Sequence, residues 1–114
     1  MVASGQSLGA SGEDAAARWY VAEGFEILAR NWRCETGEID LVCRRGRTLV
    51  ICEVKTRSSD RFGSPLEAVT PAKRRRLRQL ATLYLLEAAP SPGRIRFDVA
   101  AVVDGRVEVV EGAF

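Results

Sequence analysis

Apolar and polar positions divide the chain into two helix-like and five strand-like stretches. Ser11 followed by Asp14 predicts a helix start, and "EDAAARWYVAEG" carries the helix to Gly24. Within it Glu13, Ala16, Ala17 and Tyr20 follow the i, i+3, i+4, i+7 rule and share one face. Residues 25–33, 38–44 and 48–57 predict three strands, the last two joined through "RRGR". "SSDRFGSP" is a polar loop punctuated by Gly and Pro, and a candidate flap over a site. A second helix opens with Thr70 as cap and Pro71 at its first position. Leu77, Leu80, Ala81, Tyr84 and Leu85 form its apolar stripe, and Pro90 and Pro92 end it. "RIRFDVAAVV" and "RVEVV" are strands joined by the hairpin pair Asp104-Gly105.

The third strand, "TLVICEVK", is apolar on both faces, with Val50, Cys52 and Val54 on one side and Leu49 and Ile51 on the other. Such a strand belongs in the middle of a sheet covered on both sides. The order α-β-β-β-α-β-β therefore predicts an α/β fold with a mixed central sheet flanked by helices. At 114 residues the chain makes one domain. Residues 1–11 are expected to be a disordered lead-in and residues 12–114 the single domain.

Composition narrows the chemistry. No apolar run reaches the roughly 18 residues of a membrane span, and the N-terminus lacks a signal-peptide pattern, so no membrane and a cytoplasmic location are expected. Cys34, Cys43 and Cys52 have no CxxC spacing, and the latter two fall inside strands as small hydrophobes. Histidine is absent, which removes Ser-His-Asp and Cys-His catalysis and imidazole bases. Chemistry must then run on carboxylates, Lys, Arg or hydroxyls. Lys55 and Lys73 are the only lysines among 17 basic residues.

Four charges interrupt the most hydrophobic stretch: Glu38, Asp40, Glu53 and Lys55. If the hairpin pairs Arg44 with Arg47, or Cys43 with Thr48, Asp40 lies opposite Ile51 and Glu38 opposite Glu53. All four charges then project from one face of the sheet. Crowded carboxylates raise one another's pKa, and a divalent cation relieves them. Hard oxygen ligands suit Mg²⁺ or Mn²⁺, with Asp40 and Glu53 holding the ion and the Val54 carbonyl as a third ligand. Glu38 is a candidate further ligand, a partner behind the ligands, or a strand-entry residue reaching water. Lys55 can orient or deprotonate a water, which completes the parts needed to attack a phosphodiester. A salt-bridged strand pair with a wet face is the other reading, and Leu49 and Ile51 on that face argue against it. Relief of repulsion also predicts that Glu53→Gln leaves stability unchanged or raises it.

"GEIDLV" followed by "VICEVK" resembles the active-site pattern of the restriction-endonuclease-like PD-(D/E)xK nuclease superfamily. With "GEDAAARWY", "GFEILARNWR", "EVKTR", "AVTPAKRRRLRQLATLYL" and "RFDVAAV", the chain is more closely similar to the YraN-like family of small bacterial proteins. These segments run from residue 12 to about residue 103. The resemblance implies a restriction-endonuclease-like αβββαβ core and a catalytic set of Asp40, Glu53 and Lys55. It adds Glu13 to that set, as the helix-borne acid of related Holliday-junction resolvases. Ile39 stands where the superfamily's name has proline.

Lys73, Arg74, Arg75, Arg76 and Arg78 crowd the start of the second helix, against the helix dipole. Phosphates lying across that end, or a solvated basic face, each account for them. Lys73, Arg74, Arg76 and Arg57 are the candidate nucleic-acid contacts, with Lys73 at the edge of the apolar stripe. Arg96 and Asp98 match the family's "RFD" and fit a structural ion pair equally well. The reading that follows is a Mg²⁺- or Mn²⁺-dependent endonuclease acting on DNA, branched or structured DNA included. A non-catalytic nucleic-acid- or partner-binding module is the alternative, and RNA or nucleotide hydrolysis uses the same chemistry. A symmetric branched DNA would call for a homodimer.

Overall fold

A computed structural model of the chain describes residues 8–57, 67, 69–88 and 91–114, with side chains from residue 12 onward. The elements are α1 (Leu8–Ala22), β1 (Glu26–Cys34), β2 (Gly37–Arg45), β3 (Thr48–Arg57), α2 (Pro71–Ala88), β4 (Arg94–Val103) and β5 (Arg106–Val110). The expected α-β-β-β-α-β-β order holds. Residues 1–7 of the expected lead-in and the "SSDRFGSP" flap lie outside the described residues.

Local chemistry sets most of the element ends. Helix α1 closes in a Schellman motif: Phe25 N–H reaches Tyr20 O at 2.9 Å and Gly24 N–H reaches Val21 O at 3.0 Å. Gly24 supplies the positive φ of 89° that the motif requires. Helix α2 starts as read, with Thr70 Oγ1 accepting Lys73 N–H at 3.2 Å and Thr70 O accepting Arg74 N–H at 2.9 Å. Asp104 and Gly105 turn β4 into β5 with φ of 52° and 78°.

Helix α1 begins at Leu8, three residues before the expected Ser11 cap, so Glu13 lies in its second turn. A Cβ at Gly12 would lie 1.9 Å from Thr56 Oγ1, so the helix seats directly on β3 there.

The five strands lie in the order β1-β2-β3-β4-β5. Only β3 and β4 are parallel, joined by the crossover through α2, and the other pairs are antiparallel. Strand β3 is buried on both faces. Leu49 and Ile51 pack with Leu77, Leu80, Ala81 and Tyr84 of α2, while Val50 and Cys52 pack with Ala16, Ala17 and Tyr20 of α1. The sheet is thus mixed and flanked by helices.

The hairpin register differs from the expectation by two residues. Arg45 pairs with Thr48 across a Gly46-Arg47 turn, and Leu41 pairs with Cys52. Gly46 has a φ of 61°, which lets the turn close one residue later than "RRGR" suggests. A two-residue slip keeps every side chain on its face. Asp40 therefore meets Glu53 rather than Ile51.

Candidate active site

The β2–β3 ladder ends at Leu41 and Cys52. One residue further on, Asp40 Oδ2 accepts the Val54 N–H at 2.8 Å, so a carboxylate takes the place of a backbone carbonyl. Beyond that point β2 stays with β1 through Ile39–Trp32 and Glu38–Arg33, and β3 stays with β4 through Glu53–Val99 and Lys55–Ala101. At this end of the hairpin a cleft of about 190 Å³ is lined by Gly37, Glu38, Asp40, Glu53, Lys73, Arg76, Leu77 and Leu80.

Charge crowds into it. Glu53 is 5% exposed, and its Oε2 takes Lys73 Nζ at 2.6 Å and Lys55 Nζ at 3.5 Å. Burial pushes the Asp40 carboxyl up to about 7, and the negative charge of Glu53 adds to it. The Val54 hydrogen bond works the other way, and the charges of Glu13 and Glu38 raise it further. Burial pulls the Lys73 ammonium down, but its hydrogen bond to Glu53 and that carboxylate's charge outweigh burial and leave it raised. Four carboxylates from α1, β2 and β3 thus share one field with two ammonium groups.

The structure brings together Glu13, Glu38, Asp40, Glu53, Lys55, Lys73 and Arg76. Glu38 also leans toward Arg33, 3.7 Å away. Val54 meets Asp40 through its N–H, while the expectation for it concerned its carbonyl. Arg57 is half-buried at the end of β3, paired with Val103. Arg74 is held elsewhere: its Nε donates to Val69 O at 3.0 Å and its guanidinium lies 5.5 Å from the Phe114 ring. Arg78 likewise covers Phe97 and Phe114, at 4.8 and 5.6 Å. The basic start of α2 is therefore divided, with Lys73 and Arg76 at the cleft and Arg74 and Arg78 serving as packing cations. The hairpin-tip arginines lie at the other end of β2, about five residues and roughly 17 Å from Asp40 along the strand.

The structural ion pair read for Arg96 and Asp98 is present, and sequence reasoning missed the wider buried centre it belongs to. Asp98 is fully buried and accepts Arg96 Nε and a terminal guanidinium nitrogen, both at 2.9 Å. It also accepts Tyr20 O–H at 2.6 Å and Gly112 N–H at 3.0 Å. The "RFD" segment is thus a bidentate ion pair extended to α1 and the chain's C-terminal end. The Tyr20 partner lies 78 residues away, so only the i, i+2 spacing of Arg96 and Asp98 was visible locally. The buried thiols fit their structural role, with burial pushing Cys43 up to about 12 and Cys52 well above the ordinary thiol range.

The cleft's donors suit a hard divalent cation in type. Asp40 and Glu53 are oxygen donors, and the carboxylate crowding that lifts Asp40 is what a dication would relieve. Among the described residues no three Asp, Glu, Cys or His side chains form a group able to hold an ion. Two carboxylates would therefore need a backbone carbonyl and waters to complete the coordination, as Mg²⁺ sites commonly do.

No helix of the described residues is long and apolar enough to cross a membrane. Comparison with known proteins places the chain among close relatives. A UPF0102 protein of Parafrankia sp. (strain EAN1pec) is 54% identical, covering 96% of this chain and 97% of that protein. A UPF0102 protein of Acidothermus cellulolyticus is 48% identical, covering 96% of this chain and 94% of its own. A third, from Nocardioides sp. (strain ATCC BAA-499 / JS614), is 54% identical over 89% of this chain and 82% of its own. Residues 12–102 match the family described as "Uncharacterised protein family UPF0102", and a place for that family in the PD-(D/E)xK superfamily agrees with the α/β fold. The chain belongs to the UPF0102, or YraN-like, family.

Proposed function

We propose that the chain is a metal-dependent nuclease hydrolysing phosphodiester bonds of DNA, including branched or structured forms, at the β2–β3 cleft. The observation that carries this reading is the meeting of Asp40, Glu53 and Lys55 where the β2–β3 ladder ends. Asp40 and Glu53 would hold Mg²⁺ or Mn²⁺, with the Val54 carbonyl and Glu38 as further candidates. Such an ion supplies Lewis-acid polarisation of a phosphoryl oxygen and a more acidic water. Lys55 stands beside Glu53 to orient an attacking water or accept its proton. Glu13 contributes negative charge from α1. Arg76 at the cleft wall and Arg57 at the end of β3 are the phosphate contacts, and Leu77 and Leu80 form an apolar wall. A homodimer would suit a symmetric branched substrate.

One observation favours a second reading, a nucleic-acid- or partner-binding module without turnover. Lys73 already occupies Glu53 at 2.6 Å, where a metal would need that carboxylate. The deciding experiment is a cleavage assay on duplex, single-stranded and four-way-junction DNA with Mg²⁺ or Mn²⁺, beside Asp40→Ala and Lys55→Ala. We expect metal-dependent cleavage that falls by about a hundredfold or more in either variant. Cleavage surviving in both would sink the catalytic assignment. DNA binding with no metal-dependent cleavage would select the module.

A further inference from the structure

We infer that Lys73 is a resident counter-ion that holds the divalent cation's place on Glu53 and gives it up when the cation binds. The inference rests on the metal-site part of the proposed function and assigns Lys73 a task beyond phosphate contact. Its ground is the unequal grip of two lysines on one buried oxygen, with Lys73 Nζ at 2.6 Å from Glu53 Oε2 and Lys55 Nζ at 3.5 Å.

Position explains why Lys73 is the one to move. Lys55 follows Glu53 by two residues on β3, so its backbone is fixed beside the carboxylate. Lys73 reaches in from α2, where its own N–H is tied to Thr70 Oγ1. Only its four-carbon stem must swing, and its side chain is 39% exposed, so water receives the released ammonium. A lysine in the first turn of a helix is opposed by the helix dipole. Glu53 compensates for that opposition, and a dication on Glu53 would repel both ammonium groups at short range.

The test is calorimetry of Mn²⁺ binding to the full chain without nucleic acid. Lys73→Met is expected to bind Mn²⁺ about tenfold more tightly than the wild type, because a competing charge is gone. Lys73→Arg keeps the charge and should stay near the wild-type value. Equal or weaker Mn²⁺ binding by Lys73→Met overturns the inference, as does the absence of Mn²⁺ binding in both proteins. A wild-type measurement guards against a misfolded variant. The chain has only two lysines, so amine acetylation followed by mass spectrometry reports each of them separately. Mn²⁺ should speed the labelling of Lys73 several-fold, and slower or unchanged labelling overturns the inference. Tighter Mn²⁺ binding by Lys73→Met in a protein that cleaves no DNA would sink the nuclease reading and leave this one standing.

Discussion

Asp98 on β4 and Asp40 on β2 are both carboxylates built into the sheet, and their surroundings are opposite in kind. Asp98 is fully buried, and guanidinium, phenol and backbone donors saturate it. Asp40 is half-buried, accepts one backbone N–H, and meets the like charges of Glu53, Glu13 and Glu38 as well as the ammonium of Lys73. A carboxylate that holds a fold together collects donors until its lone pairs are used. A carboxylate left with like charge beside it is one that a cation could still relieve. The same sheet thus holds a finished polar centre against α1 and an unfinished one below α2.

The largest effect should come from the finished centre. Asp98→Asn leaves the largely buried Arg96 guanidinium with the looser, exposed Glu111 carboxylate 3.6 Å away in place of its buried bidentate partner, and breaking a buried pair commonly costs about 3–5 kcal/mol. Urea unfolding of that variant should show a loss in this range, or a chain that does not fold. A loss below about 1 kcal/mol would mean that Asp98 is not the structural opposite of Asp40.

Asp40→Asn should move stability the other way, with a pH signature. The folded chain holds the Asp40 proton up to about pH 7, whereas an ordinary aspartate releases it near 3.8, so protonation favours the folded state. That advantage is complete in acid and is lost as pH rises through about 7. Asparagine cannot ionise and can still accept the Val54 N–H. In metal-free buffer the variant should match the wild type near pH 4 and exceed it by about 2 kcal/mol near pH 8, after allowance for the partial exposure of Asp40. A gain that does not change with pH would remove the crowding explanation.

Much of this contrast was legible in the sequence. Thr70-Pro71 and Asp104-Gly105 name their own backbone conformations, and the two-sided apolar run of β3 placed it at the centre of the sheet. The parity of Glu38, Asp40, Glu53 and Lys55 survived a wrong register because a slip of two residues preserves faces. What was hidden depends on distance along the chain. Nothing near Arg74 signals that it stacks on Phe114, and nothing near Asp98 signals Tyr20. Lys73 was picked out by its rarity and its place beside the apolar stripe, but its partner required the packing of α2 over β3. The early start of α1 was masked by a good cap at Ser11.

Glu53→Gln gives the smallest and most discriminating effect. Considered as one carboxylate in a crowd, Glu53 should be neutral or stabilising to neutralise. The structure adds an opposing loss, because Glu53 is also the partner of Lys73 and Lys55. Near pH 5 Asp40 already carries its proton, so there is little repulsion to relieve and only the ion pairs are lost. Both lysines are partly exposed, which limits that loss to about 1 kcal/mol. Near pH 8 Asp40 is ionised, and relief of its repulsion by Glu53 offsets the lost pairs, bringing the change close to zero. The thermal midpoint of Glu53→Gln should therefore fall below wild type in mild acid and approach it in mild base. If the deficit instead widens with pH, Glu53 serves its lysines alone, and the unfinished centre is as closed as the one at Asp98.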